Sequence, residues 1–167
     1  AMLTKFDTIA QLVSPDLAMV PREGGPRLER RILTGMDKWG VLGDGTLWIA
    51  RTKQNQVEWR NPDGSLQAQT KPLPDPILPV QEMDRQLYLR RFPEDQRQAA
   101  NTQVFAELKP PFEAAVATPD RRVWLFKGAP ALDSIRTLQV VDSSGLKAVI
   151  EVPSRGTAIG VDGSWII

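Results

Sequence analysis

The sequence predicts an all-β fold built of β-propeller-like four-stranded antiparallel blades, about three blade repeats, with a short helical insertion. Three observations carry that prediction. Tight-turn chemistry recurs at Gly43-Asp44-Gly45, Asn61-Pro62-Asp63-Gly64, Thr118-Pro119-Asp120-Arg121, Asp142-Ser143-Ser144-Gly145 and Asp162-Gly163. Gly and Pro supply the positive φ or preset corner that such turns demand, and the Asp residues are turn formers before they are anything else. Short β-rich runs flank each turn, as hairpins require. A tryptophan, at Trp48, Trp124 and Trp165, then sits on the strand leaving the first turn of each repeat.

Along the chain, residues 6–37 read as part of an N-terminal blade. Phe6-Asp7-Thr8-Ile9-Ala10-Gln11-Leu12-Val13 alternates in part, like an outer strand, and residues 17–20 and 28–33 form further strands around the loop Arg22-Glu23-Gly24-Gly25-Pro26. Residues 38–71 make one blade, from Lys38-Trp39-Gly40-Val41-Leu42 through Gln56-Val57-Glu58-Trp59-Arg60 to Ser65-Leu66-Gln67-Ala68-Gln69. Four strands in about forty residues is the size of one propeller blade.

Residues 72–109 differ in composition. The stretch Lys71-Pro72-Leu73-Pro74-Asp75-Pro76-Ile77-Leu78-Pro79 is expected to run extended over the surface, because each Pro disfavours helix before it. A helix is predicted over 80–91, with Met83, Leu87 and Tyr88 on one face and a stop at Pro93. A second helix is predicted over 94–108, with Val104, Phe105 and Leu108 apolar. Residues 110–153 form the next blade, and 154–167 supply two strands of another. On this reading the chain starts partway through one blade and stops partway through another.

Composition excludes whole classes of chemistry. Neither Cys nor His occurs in the 167 residues, which removes disulfides, thiol nucleophiles, imidazole bases, His or Cys metal sites and any Ser-His-Asp triad. With 21 Lys+Arg against 20 Asp+Glu, no field implies a nucleic-acid or membrane-surface partner. No apolar run approaches the ~20 residues of a membrane span, and no signal-peptide pattern opens the chain; a soluble chain is expected. The glycines at Gly24-Gly25 and Gly156 lack the spacing and the Lys-Ser/Thr of a phosphate loop.

The succession of Phe6-Asp7-Thr8-Ile9-Ala10, Trp39-Gly40-Val41 with Gly43-Asp44-Gly45, Val57-Glu58-Trp59-Arg60-Asn61-Pro62-Asp63-Gly64, the Pro-rich link with its helix, and Pro110-Pro111-Phe112-Glu113-Ala114 resembles bacterial six-bladed β-propellers of the TolB-like and NHL-like kind. The resemblance covers most of the chain from Phe6 onward. It implies a binding or scaffold module. It also implies, as the alternative, a metal-dependent hydrolase or lactonase-like enzyme whose divalent metal, such as calcium, is held by acidic and amide side chains in a central channel. No such constellation maps onto this sequence residue by residue. A six-bladed ring needs about twice this length, so the resemblance implies a homo-oligomer, with a dimer closing the ring by two-fold symmetry.

The leading functional expectation is therefore a noncatalytic binding or protein-interaction module, without a cofactor. Its ligand surface lies at the channel end of the blades or beside the helical insertion. The candidate ligand-binding residues are Trp39, Trp59 and Glu113. Trp offers a broad π face for stacking but equally plugs the space between sheets, and the recurrence of Trp48, Trp124 and Trp165 after equivalent turns favours core for those three. The carboxylates that an enzyme could use are Glu58, Glu113, Asp133, Asp142 and Asp162, and none has ligand spacing. Glu113 stands out among them for its place after Pro111-Phe112, at the start of an inner strand.

Overall fold

The computed structural model describes residues 8–128 and 135–153. In chain order these form β1 (Leu17–Val20), β2 (Arg27–Arg30), β3 (Lys38–Val41), β4 (Leu47–Arg51), β5 (Gln56–Arg60) and β6 (Leu66–Gln69). Helices α1 (Glu82–Leu89) and α2 (Glu94–Asn101) follow, then β7 (Ala114–Ala117), β8 (Val123–Phe126), β9 (Ile135–Asp142) and β10 (Gly145–Pro153). β1 and β2 form a hairpin, and β3 to β6 and β7 to β10 form two four-stranded antiparallel meanders, each strand paired with its chain neighbour. The all-β class, the repeated four-stranded unit and the helical insertion between the two units are all present. The hairpin expected over 157–167, with Asp162 and Trp165, lies outside the described residues, as do Phe6, Asp7 and Asp133.

One turn design closes three hairpins. The amides of Gly45, Gly64 and Arg121 donate to the carbonyls of Leu42, Asn61 and Thr118 at 2.9, 2.8 and 3.0 Å, and these donors have φ of 84°, 86° and 66°. The Asp before each donor braces the turn. Asp44 accepts from the Thr46 amide and Asp63 from the Ser65 amide, both at 2.9 Å, and Asp120 accepts from the Thr118 hydroxyl. Bonds from Thr46 hold the Asp44 carboxyl below its ordinary range, and bonds from Ser65 do the same for Asp63. Arg121 takes the left-handed conformation that its two counterparts give to glycine.

Register sets how the sheets stack. In the first sheet Trp48 pairs with Trp59 and Ala50 with Val57, so these four share what we term the front face; Ile49, Arg51 and Glu58 point to the back. In the second sheet Val123 pairs with Val141 and Leu125 with Gln139, and these share the back face, while Trp124, Phe126, Leu138 and Val140 share the front. The common core joins Trp48, Ala50, Val57 and Trp59 to Val123, Leu125 and Val141, with Leu73 and Phe112. Front packs on back, with turns and strands in the same order in the two sheets. Trp48 therefore plugs the space between the sheets, whereas the equivalent Trp124 faces away from the first sheet and is only half-buried.

Several sequence expectations shift. Residues 8–13 form no strand; they cross the back of the first sheet as an extended strap, with the Val13 amide donating to Asp37 at 3.1 Å and the Gln11 carbonyl accepting from Arg51. The strand expected over 28–33 stops at Arg30, because Ile32 turns to pair with the insertion: its amide donates to Val104 and its carbonyl accepts from Ala106, at 2.8 and 2.9 Å. For the same reason the second helix ends at Asn101 and not at Leu108. Residues 107–109 instead return antiparallel to 78–80, closing the base of the insertion. In α1 the apolar face is shifted, with Leu89 buried and Met83 exposed. The Pro-rich stretch is extended as expected, but it is not confined to the surface. The Leu73 amide donates to the Asn55 carbonyl at 2.8 Å and the Leu73 side chain enters the core. Among the described residues no helix is long and apolar enough to cross a membrane.

Candidate functional site

The insertion meets the second sheet at a cleft of about 290 Å³. One wall comes from α1 and its end, with Asp84, Leu87, Tyr88 and Arg91; the other comes from Lys109, Pro110, Pro111, Glu113, Lys127 and Gly128, with Leu33, Pro76 and Leu78 between. Elementary constraints build each wall. The Gln81 amide donates to Asp84 Oδ2 at 2.8 Å, capping α1. Tyr88 packs edge-on against Phe92 and Phe105, with ring centroids 5.3 and 5.4 Å apart, and its hydroxyl donates to Gln103 at 2.7 Å. Leu33 holds φ at 60°, a conformation that costs a non-glycine residue of order 1–3 kcal/mol. Phe112, 1% exposed, anchors the opposite wall, and the Glu113 amide donates to the Phe126 carbonyl at 2.8 Å.

Glu113 lies in this cleft with its side chain 51% exposed. Its carboxylate reaches over Gly128, where a β-carbon would stand 2.9 Å from Oε1, so the glycine makes room for it. Its one ion-pair neighbour among the described residues is Arg136, at 4.0 Å, too far for a hydrogen bond. The neighbouring charges are more tightly held. Lys109 Nζ lies 3.0 Å from Asp84 Oδ1, and Lys127 is paired with Asp75, which also accepts from Gln139 at 2.7 Å.

The structure separates the three candidate ligand residues. Trp59 is 2% exposed within the inter-sheet core, so its π face is used in packing and offers no platform. Trp39, at 56% exposed, shares the back of the first sheet with Ile49, away from the cleft. Glu113 alone of the three lines the cleft. Tyr88, Arg91, Lys109 and Lys127 join it there, and no local pattern marks them in the sequence because the closure of the insertion brings them together.

The other described candidate acids have structural partners. Glu58 takes Arg51 Nε at 2.6 Å and Arg60 Nε at 2.9 Å, while Arg51 also reaches Asp37 at 2.9 Å. Burial alone would raise the Glu58 carboxyl, but the bonds from Arg51 and Arg60 outweigh it and hold the group below its ordinary range. Asp142 accepts from the Ser144 amide at 2.8 Å in a hairpin turn; burial would raise its carboxyl, but the Ser144 bonds and the nearby Lys147 together outweigh it and hold the group below its ordinary range. Among the described residues no three acids are gathered where they could hold a metal ion.

A second depression, of about 380 Å³, shares residues 109–111 with the cleft and is lined also by Asp16, Thr34, Lys53 and Glu107. Comparison of the chain with family models, curated proteins and solved structures gives no match.

Proposed function

We propose that the protein is a noncatalytic binding module on a partial β-propeller, and that its ligand site is the cleft between the helical insertion and the second sheet. The observation that supports this reading is Glu113: a half-exposed carboxylate without a close partner among the described residues, opposite the mixed apolar and charged wall of α1. Small-ligand sites combine concave apolar walls with a few convergent polar groups. The reading requires no metal and no cofactor. Amide shift mapping with a set of small soluble ligands tests it. Perturbation is expected at Tyr88, Glu113, Lys127 and Gly128; responses confined to other surfaces would refute it.

The same reading makes two copies the working unit, closing a six-bladed ring of the TolB-like or NHL-like kind. Front-to-back stacking supports it, because such contacts repeat into a ring when the rotation closes. The exposed Trp39 and Val41 on the back of β3 supply apolar surface for the next sheet. Light scattering on a sizing column across a concentration range is expected to give twice 18.6 kDa. A monomer at every concentration would refute ring closure and leave the cleft untouched.

A further inference from the structure

We infer that the cleft takes a small zwitterion of amino-acid size, its ammonium against Glu113 and its carboxylate against Arg91; the inference rests on the cleft reading above. Pairing within the cleft carries it. Of five charged side chains on the walls among the described residues, Asp84 is spent on the α1 cap and on Lys109, and Lys109 on Asp84. Lys127 is spent on Asp75, which Gln139 also holds. That leaves one group of each sign. Among the described residues Glu113 has only the 4.0 Å approach of Arg136, and Arg91, at the end of α1, has no carboxylate partner. One wall thus offers an uncommitted carboxylate and the other an uncommitted guanidinium.

A ligand bearing a single charge satisfies one of these groups and leaves the other as it was. A zwitterion satisfies both, and a charge-assisted hydrogen bond is about twice as strong as a neutral one. The size agrees: about 290 Å³ corresponds to roughly ten waters at about 30 Å³ each, enough for a free amino acid. Pro76, Leu78, Leu87, Pro110 and Pro111 supply apolar wall for its side chain. The guanidinium fork suits a carboxylate bidentately.

The test titrates the intact chain with free L-leucine, L-phenylalanine and L-proline, followed by amide shifts. The N-acetyl and amide derivatives of whichever binds most tightly are then compared. The free amino acid is expected to bind up to about fivefold tighter than either derivative, the scale of one exposed charge pair. Glu113→Gln should lower its affinity toward that of the N-acetyl form without weakening the latter. Arg91→Gln should lower it to that of the amide. Both side chains are solvent-accessible, so both variants keep the wild-type melting temperature. If all three forms perturb the cleft with equal affinity, or if neither variant weakens the free amino acid, the zwitterion inference fails while the cleft reading stands. If no probe perturbs the cleft, both fail.

Discussion

Arg51→Met removes a guanidinium that bridges two buried carboxylates. The side chains of Arg51, Asp37 and Glu58 are 11%, 0% and 9% exposed. Removing one partner of a buried pair costs about 3–5 kcal/mol, because the other charge stays desolvated without compensation. Here part of the compensation survives. Glu58 keeps Arg60 at 2.9 Å, and Asp37 keeps the Thr52 and Val13 amides at 2.9 and 3.1 Å. The expected loss is therefore about 3 kcal/mol, the lower end of that range, or a fall in Tm of roughly 6–12 °C for a chain of this size. The pH dependence follows from the depressed Glu58 carboxyl. Its contribution is present above the unfolded glutamate value of about 4.3 and disappears as pH falls through the lower folded value. Urea unfolding followed by tryptophan fluorescence, at pH 7 and at steps down to pH 3, measures both effects. The variant should show the loss at pH 7 and a shallower acid limb than wild type, since Arg51 is a main source of the depression. A loss under about 1 kcal/mol, the scale of an exposed pair, or an unchanged acid limb would refute the reasoning.

Other perturbations test the packing. Phe112→Ala empties a site that is 1% exposed and should cost about 3–5 kcal/mol in the same unfolding assay. Gly40→Ala would place a β-carbon 2.9 Å from Trp48 Nε1, directly under the cross-strand indole. About 1–3 kcal/mol of overpacking strain is expected, with a shift in tryptophan emission that an alanine elsewhere on β3 does not give. Gly64→Ala combines φ of 86° with the Ile9 carbonyl at 3.0 Å, so it should cost the left-handed term of about 1–2 kcal/mol and speed hydrogen exchange at the Val13 amide. Gly24→Ala, at φ of 93° with open space around it, should cost the backbone term alone.

Much of the fold was legible because turn chemistry is local. Gly45 and Gly64 adopt the positive φ that the sequence implies, and Asp44, Asp63 and Asp142 brace their turns as turn formers should. The alternation of β5 was equally open to reading, with Val57 and Trp59 on one face and Glu58 and Arg60 on the other. Which face meets another sheet was not, because that depends on the front-to-back stacking. Trp39 and Trp59 therefore looked alike in sequence and end up on opposite sides of one sheet. The insertion shows the opposite failure. Val104, Phe105 and Leu108 have helix-like spacing, yet the backbone groups there pair with Ile32 and with residues 78–80, a long-range competitor that local periodicity cannot register. Glu113 lines the cleft from the strand entry where its sequence position puts it, whereas its cleft neighbours Tyr88, Arg91, Lys109 and Lys127 come from segments far apart in the chain.

Asp75 explains why the cleft forms where it does, and supplies a test of its charge pattern. Its carbonyl accepts from Asn55 Nδ2 at 2.8 Å, in the β4–β5 turn. Its carboxylate accepts from Gln139 Nε2 at 2.7 Å and from Lys127. One residue of the Pro-rich stretch thus ties the first sheet to the second, with the φ values of its flanking prolines preset, and so fixes the wall that Pro76 presents. Asp75→Asn keeps the carbonyl bond and an amide oxygen for Gln139, but it removes the charge that holds Lys127. The cleft would then carry two uncommitted cations against Glu113 alone. The asparagine variant should bind N-acetyl amino acids more tightly than wild type, while the affinity for amino-acid amides falls. Asp75 is 43% exposed, so the gain is bounded by the 0.2–1 kcal/mol of exposed charge pairs, roughly fivefold at most. Equal affinities for the anion in the two proteins would mean that Lys127 does not face the ligand, and that the charge pattern inferred for the cleft is wrong.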